Sequence, residues 1–307
     1  SSDFAQLTKV SISISATTTV MIFFIVCIPP FYSSRHTLSN ILSSSSFLTS
    51  ASGDISVTAG NDARINHEVS AAAGDIRITA KNEAKLNNTV ATGSHTGAIA
   101  IAGVKGVTLN GLVSAGNLNL VEGAYTGGGP VMLTSEKGSV IQGEAGVLKA
   151  ASVTTASGNA ILLANEGNTF RNYTANGVER DKTDEQGNVV TDDAGNAVKE
   201  TVIGGSVTVY AHAGNNLNAA VTDTVYGDVE LKNLDEGALT VTSDIVAKEG
   251  KNGELGSVTF RQKGDILVEG AVKADGLVTE AVADGAGSVT NKKDMLESRS
   301  NKLWGAF

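Results

Sequence analysis

Hydrophobic and polar residues alternate through most of this chain, and the alternation restarts after a glycine. Ile55-Ser56-Val57-Thr58, Ile76-Arg77-Ile78-Thr79 and Val207-Thr208-Val209-Tyr210 each place an apolar side chain at every second position. That period of 2 belongs to a β-strand with one face turned inward. Counted from Gly53, apolar residues fall at offsets 2, 4, 12 and 16, which are Ile55, Val57, Ile65 and Val69. The same offsets give Ile76, Ile78, Leu86 and Val90 from Gly74, and Ile99, Ile101, Leu109 and Val113 from Gly97. They give Val207, Val209, Leu217 and Val221 from Gly205, and Val258, Phe260, Val268 and Val272 from Gly256. Weaker copies open at Gly116 with Leu118 and Leu120, at Gly158 with Ala160 and Leu162, and at Gly227 with Val229, Leu231 and Leu239.

A repeat of about 20 residues marks an array of stacked units. No copy holds a ten-residue amphipathic helical stretch, so each unit is two or three short strands paired with their counterparts in the next unit. The predicted fold is all-β, a right-handed parallel β-helix (solenoid) with coils of about 20 residues. In such a stack like side chains form columns, and Asn66, Asn87, Asn110 and Asn218, all at offset 13, are expected to form one polar ladder. The rhythm breaks at residues 168–204, a charged excursion with Gly187-Asn188 and Gly195-Asn196 pairs that suggest a hairpin or loop. KEGKNGEL, with Glu249 and Glu254, is a second polar insert.

Composition sets the boundaries. Residues 1–52 contain no Gly, 14 Ser, the sole cysteine Cys27 and the run VMIFFIVCI from Val20 to Ile28, stopped by Pro29-Pro30. Nine apolar residues are too few for the roughly 20 of a membrane-spanning helix and fit a degraded or working leader. The repeat region is then 53–290, and 291–307 is a tail carrying Lys292, Lys293, Arg299 and Lys302. Between Gly53 and Thr290 there are 17 Lys and Arg against 29 Asp and Glu, a net charge of −12. With no basic cluster there, nucleic acid is excluded as a partner of the body. A single cysteine excludes an intramolecular disulfide framework.

Candidate chemistry is sparse. His36, His67, His95 and His212 have no paired ligand spacing, and Cys27 sits in an apolar run that gives a thiolate no support. Asp181, Asp184, Asp192 and Asp193 have the oxygen ligands Ca²⁺ takes but match no EF-hand loop, so they read as a solvated surface. GAYTGGGP, Gly123 to Pro130, lacks the Lys-Ser/Thr of a phosphate loop, and Lys263-Gly264-Asp265 is a three-residue match to an integrin-recognition tripeptide. No catalytic, cofactor-binding or metal-binding residue is assigned, and no cofactor is expected.

Units of the form GDIxVTAxNxAxLNxxV, GSVTVYAHAGNNLNAAV and GDVELKNLDEGALTV resemble the filamentous haemagglutinin-like adhesins, Gram-negative exoproteins exported by two-partner secretion, over roughly Gly53 to Thr290. The resemblance implies a secreted or cell-surface rod outside the outer membrane, without catalysis. Its implied partners are an outer-membrane transporter and a host cell surface, extracellular matrix, glycan or other bacteria. The Asn-Pro-Asn motifs of that family's secretion domain are missing, so an internal or truncated fragment is expected. Pectate lyase-like enzymes share the fold, and they remain one alternative beside a purely structural stalk. Scattered acids and scarce aromatics make a sugar-stacking groove the weaker reading.

Overall fold

The computed structural model describes residues 47–93, 96–184, 186, 188–251, 253–275 and 288. It adds the strand backbones Ser11–Ile14, Ser34–Leu38, Leu42–Ser43, Thr279–Ala283, Val289–Asn291, Leu296–Glu297 and Asn301–Trp304. The chain is all-β, without a helix among the described residues, and its strands stack in mostly parallel sheets. Cys27, the run Val20 to Ile28 and His95 lie outside the described residues, as does the side chain of His36. Of the basic tail only strand backbone is described.

Each unit feeds a first sheet of 12 strands and then a second of 11. In the first, Ile55 stands beside Ile76, Ile76 beside Ile99, and the column runs on through Val131, Val153, Tyr173, Ala219 and Val241 to Val268. In the second, Ala63, Ala84, Val107, Val140, Ile161, Val207, Val229 and Val258 form the matching column. All of these side chains are buried. The alternation puts β-branched and aliphatic groups on the inner face of every strand, and their removal from water is the main stabilising term. Where Tyr173 enters the column its neighbour is the small Ala219, and its hydroxyl bonds Thr155 Oγ1 at 2.9 Å.

A third sheet changes place along the chain. In the first units it lies after the second sheet and before the first: Leu48–Ser50, Val69–Ala71, Val90–Thr92, Leu112–Ala115 and Val147–Lys149. Beyond Lys149 this column continues only as single bridges to Thr169 and His212. From Lys199–Ile203 onward a different sheet forms at the opposite corner, between first and second sheets: Thr224–Tyr226, Ile245–Lys248 and Val272–Ala274.

Two antiparallel hairpins leave the stack. The short one, Leu118–Val121 with Ala124–Gly127, exits between Leu112–Ala115 and Pro130–Ser135. The long one, Val178–Asp181 with Lys199–Ile203, exits between Asn172–Asn176 and Val207–Ala211. Within the polar stretch 168–204, Asn168, Phe170, Tyr173 and Ala175 are buried, and the chain departs only after Gly177.

This geometry corrects three expectations. Val207 joins the second sheet rather than the column of Ile55, so the Gly205, Gly227 and Gly256 copies are out of phase with those at Gly53, Gly74 and Gly97. The Gly116 copy is the short hairpin, and the strand that continues the first sheet opens at Pro130 with Val131 and Leu133 inside. After Gly158 the inward residues are Ile161 and Leu163, one position later than Ala160 and Leu162, and Leu162 points outward.

Candidate interaction surface

Corner residues tie each unit to the next. Asp54 Oδ1 accepts the Asp75 N–H at 2.9 Å, and Asp75 Oδ1 accepts that of Ala98 at 2.7 Å. Further along, Asp228 does the same for Ser257, Asp244 for Ala271 and Asp265 for Ser288, at 2.8, 2.7 and 2.8 Å. The Gly-Asp openings of the sequence are therefore structural carboxylates. Asn ladders act similarly. Asn87 Nδ2 donates to Asn66 Oδ1 at 2.7 Å and Asn110 Nδ2 to Asn87 Oδ1 at 2.9 Å. Asn218 is not in that ladder. It lies in the first sheet, donates to Asn172 Oδ1 at 3.2 Å and accepts from Asn216. An unforeseen pair, Asn61 and Asn82, bonds side chain to side chain at the opposite corner.

The acidic candidates of the long hairpin serve turns as well. Asp184 Oδ1 accepts the backbone N–H groups of Gln186 and Asn188, at 3.0 and 2.8 Å. Asp192 Oδ1 accepts those of Ala194 and Asn196, at 2.9 and 2.8 Å. These are two copies of one Thr-Asp-x-x-Gly-Asn-x-Val turn, Thr183 to Val190 and Thr191 to Val198, a doublet readable in the sequence. The Asn196 backbone and side-chain donors hold the Asp192 pKa below the ordinary carboxylate value. Asp181 pairs with Lys199 at 2.6 Å, and Asp193 is exposed. Among the described residues no group of three or more His, Cys, Asp and Glu is placed to hold a metal ion.

The remaining candidates fall in separate places. His67 meets the Phe47 ring edge at 5.7 Å. His212 Nδ1 lies 2.7 Å from Asp235 Oδ1, and Asp235 Oδ2 accepts the Gly214 N–H at 2.6 Å, so this carboxylate shapes a turn. Lys263-Gly264-Asp265 forms the turn between the strands Val258–Gln262 and Ile266–Val268, with Lys263 and Asp265 exposed. Lys263 faces Glu236 at 3.9 Å, and the Asp265 carboxylate takes both donors of Ser288, which lowers its pKa. In the KEGKNGEL insert, the Gly250 N–H bonds the Glu254 carbonyl at 2.9 Å.

What these elements present outward is a broad polar surface with two denser clusters, one where Arg180 and Lys248 flank the Tyr226 ring and one on the second sheet. On the outer face of the second sheet, Tyr210 is adjacent to Lys232 and Lys232 to Arg261. The Lys232 ammonium sits 5.5 Å from the Tyr210 ring centroid, and Arg261 lies 3.9 Å from Glu230. Burial, followed by a hydrogen bond to Glu230, pushes the Tyr210 hydroxyl up to about 12, so it stays a neutral donor. Sequence reading missed this cluster because its members come from three separate units. Their shared register, read from the second-sheet column, is the signal that joins them. The first sheet's outer face differs: from Ala100 to Thr242 it carries Met132, Thr134, Thr154, Thr174, Ala220, Thr222 and Thr240. Compared with protein-family models, curated proteins and solved structures, the chain matches none.

Proposed function

We propose that the stacked sheets are the faces of a right-handed parallel β-helix with coils of about 20 residues, and that the chain is a non-catalytic adhesive rod. On this reading it is secreted or displayed outside a Gram-negative cell and contacts host cells, matrix, glycan or other bacteria. About ten coils at about 4.8 Å each give a rod on the order of 50 Å. The observation that carries the reading is the continuous register from Ile55 to Val268, which commits the aliphatic side chains to the interior and leaves a long, mostly polar exterior. Further support comes from the acids of the turns, since Asp54, Asp75, Asp184, Asp192, Asp235 and Asp265 are engaged by backbone donors there. Carboxylates held this way suit scaffold better than proton transfer.

The test is adherence of the purified chain to cultured cells and matrix-coated surfaces, run beside incubation with polygalacturonate and related acidic glycans. Saturable adherence without sugar release is expected. Release of shortened sugars would replace the rod with an enzyme, and neither adherence nor release would reduce it to a stalk.

A further inference from the structure

The outer strands of the two hairpins differ in a property that decides whether a strand edge stays alone. Among the described residues Val178–Asp181 pairs only with Lys199–Ile203, and it carries Glu179, Arg180 and Asp181. Arg180 bonds Glu200 at 3.0 Å, so this edge is lined with charge that another strand would have to desolvate. Leu118–Val121 likewise pairs only with Ala124–Gly127, yet it reads Leu-Asn-Leu-Val. Leu120 is 60% and Val121 50% exposed. No Lys or Arg occurs anywhere from Gly106 to Glu136. Natural edges are ordinarily guarded by such charges, and this one is bare.

The bare edge is also held rigidly. At the tip, a Cβ on Gly123 would lie 2.6 Å from Asn215 Oδ1, and one on Gly214 would run into the Gly123 carbonyl, so tip and turn are in contact. At the base, Leu118 packs against Gly128 beside Ala151, and the Gly127 carbonyl accepts from Arg171 at 3.5 Å. Glu122, at φ 51°, occupies the left-handed region that non-glycine residues avoid, which fixes the tight turn. A preorganised strand edge loses little entropy on pairing. Its backbone N–H and C=O groups are met together only by another extended backbone.

We propose that Leu118–Val121 is a docking edge for an extended peptide of another protein, apolar at alternate positions and basic where it passes Glu122. Charge selects this occupant over a second copy: the body carries −12, and the only charge on the hairpin itself is Glu122. The proposal stands apart from the rod reading, because a strand can add to this hairpin whatever the long axis of the molecule contacts.

The full chain is titrated into a fluorescently labelled peptide, KKVTVTVT, and into the same peptide N-methylated along one edge, with anisotropy as the readout. Saturable binding is expected for the first, weakened about tenfold or more by N-methylation and by Leu120→Lys, and unchanged by Glu179→Gln on the guarded edge. Circular dichroism melting checks that Leu120→Lys is folded, as its exposure implies. Absence of saturable binding, or equal binding of the methylated peptide, would overturn the proposal. So would sedimentation showing a dimer that Leu120→Lys dissolves, since the occupant would then be a second copy.

Discussion

The units up to Lys149 and those beyond it use the same two sheets but fill different corners. Before it, the passage from second sheet to first is made by a third strand such as Val69–Ala71 or Val90–Thr92, whose backbone is satisfied by its neighbours above and below. After it, that passage is a tight turn, and buried amides replace the strand. Asn233 Oδ1 accepts the N–H groups of Ala213 and Asp235, at 3.2 and 3.1 Å, while its Nδ2 donates to the Ala238 carbonyl at 2.9 Å. Asn168 bonds the carbonyls of Leu163 and Tyr210 and the N–H of Leu148. Gln262 donates to the Asp235 carbonyl at 3.1 Å. The inner end of the second sheet changes along the stack, from Ile65, Leu86 and Leu109 through Gln142, Leu163 and Ala211 to Asn233 and Gln262. A stack of this kind keeps two sheets constant and moves the third, provided the vacated corner receives side-chain hydrogen bonds.

The long hairpin is where the exchange is completed, because Lys199–Ile203 is the strand on which the new sheet is laid. The sharpest way to break the comparison is to replace Val178 to Ile203 with a short Gly-Ser link. Val202 and Ile203 are 4% and 0% exposed, so the loss is about 4 kcal/mol from their burial alone. Calorimetry should then resolve an earlier transition for the later units, and a single transition at the original temperature would refute the template role. Asn233→Leu is next, at about 3 kcal/mol, since it strands two backbone donors in an apolar corner. Urea unfolding measures it, and a cost below that of Asn87→Ala would contradict the corner argument.

Gly214→Ala tests the contact between the short hairpin and the later units. The residue has φ 65° and its Cβ would meet the Gly123 carbonyl, so about 2 kcal/mol is expected, with faster amide exchange at the hairpin tip. Asn87→Ala removes one rung of an exposed ladder and should cost only about 1 kcal/mol in the same unfolding assay. The smallest effect concerns Asp192 and Asp265, whose pKa values are depressed in the fold by backbone donors. Their contribution is complete above the ordinary Asp value of about 3.9 and is lost as the pH falls through the lower folded value. Protection of the Ala194 and Asn196 amides, taken relative to their intrinsic exchange rate at each pH, should therefore fall only in acid, and constant protection from neutral pH down to about pH 2 would contradict it.

Much of the scaffold was legible from side chains alone. Ile55, Ile76 and Ile99 share a column because alternation fixes the inward face and the unit length fixes the neighbour. The phase of the later units was not legible. A strand such as Val207–Ala211 has the same buried alternation as Ile55–Ala59, and nothing in a two-residue period says which sheet it joins. The decisive clues were polar: Gln142, Asn168 and Asn233 at inward positions signal backbone groups that lack a strand partner. Gly116-Asn-Leu-Asn-Leu misled for a related reason, since a hairpin laid on the outside alternates like a strand of the stack. The outer cluster of Tyr210, Lys232 and Arg261 was hidden because contact across units depends on register, which inserts of unequal length obscure.

The aspartates of the Gly-Asp openings all face one way, whereas Asp223 and Asp235 accept the N–H groups of Gly177 and Gly214 in earlier units. A carboxylate in an earlier unit receives an N–H from the following one, from Asp54 through Asp75 to Asp228 and Asp265. The stack thus has a leading end, where acceptors already stand in position, and each arriving segment carries the protons that dock onto them. Assembly that begins at the amino-terminal side would find the Gly-Asp berths prepared in advance, whereas assembly from the other side would leave those N–H donors waiting for carboxylates that arrive later.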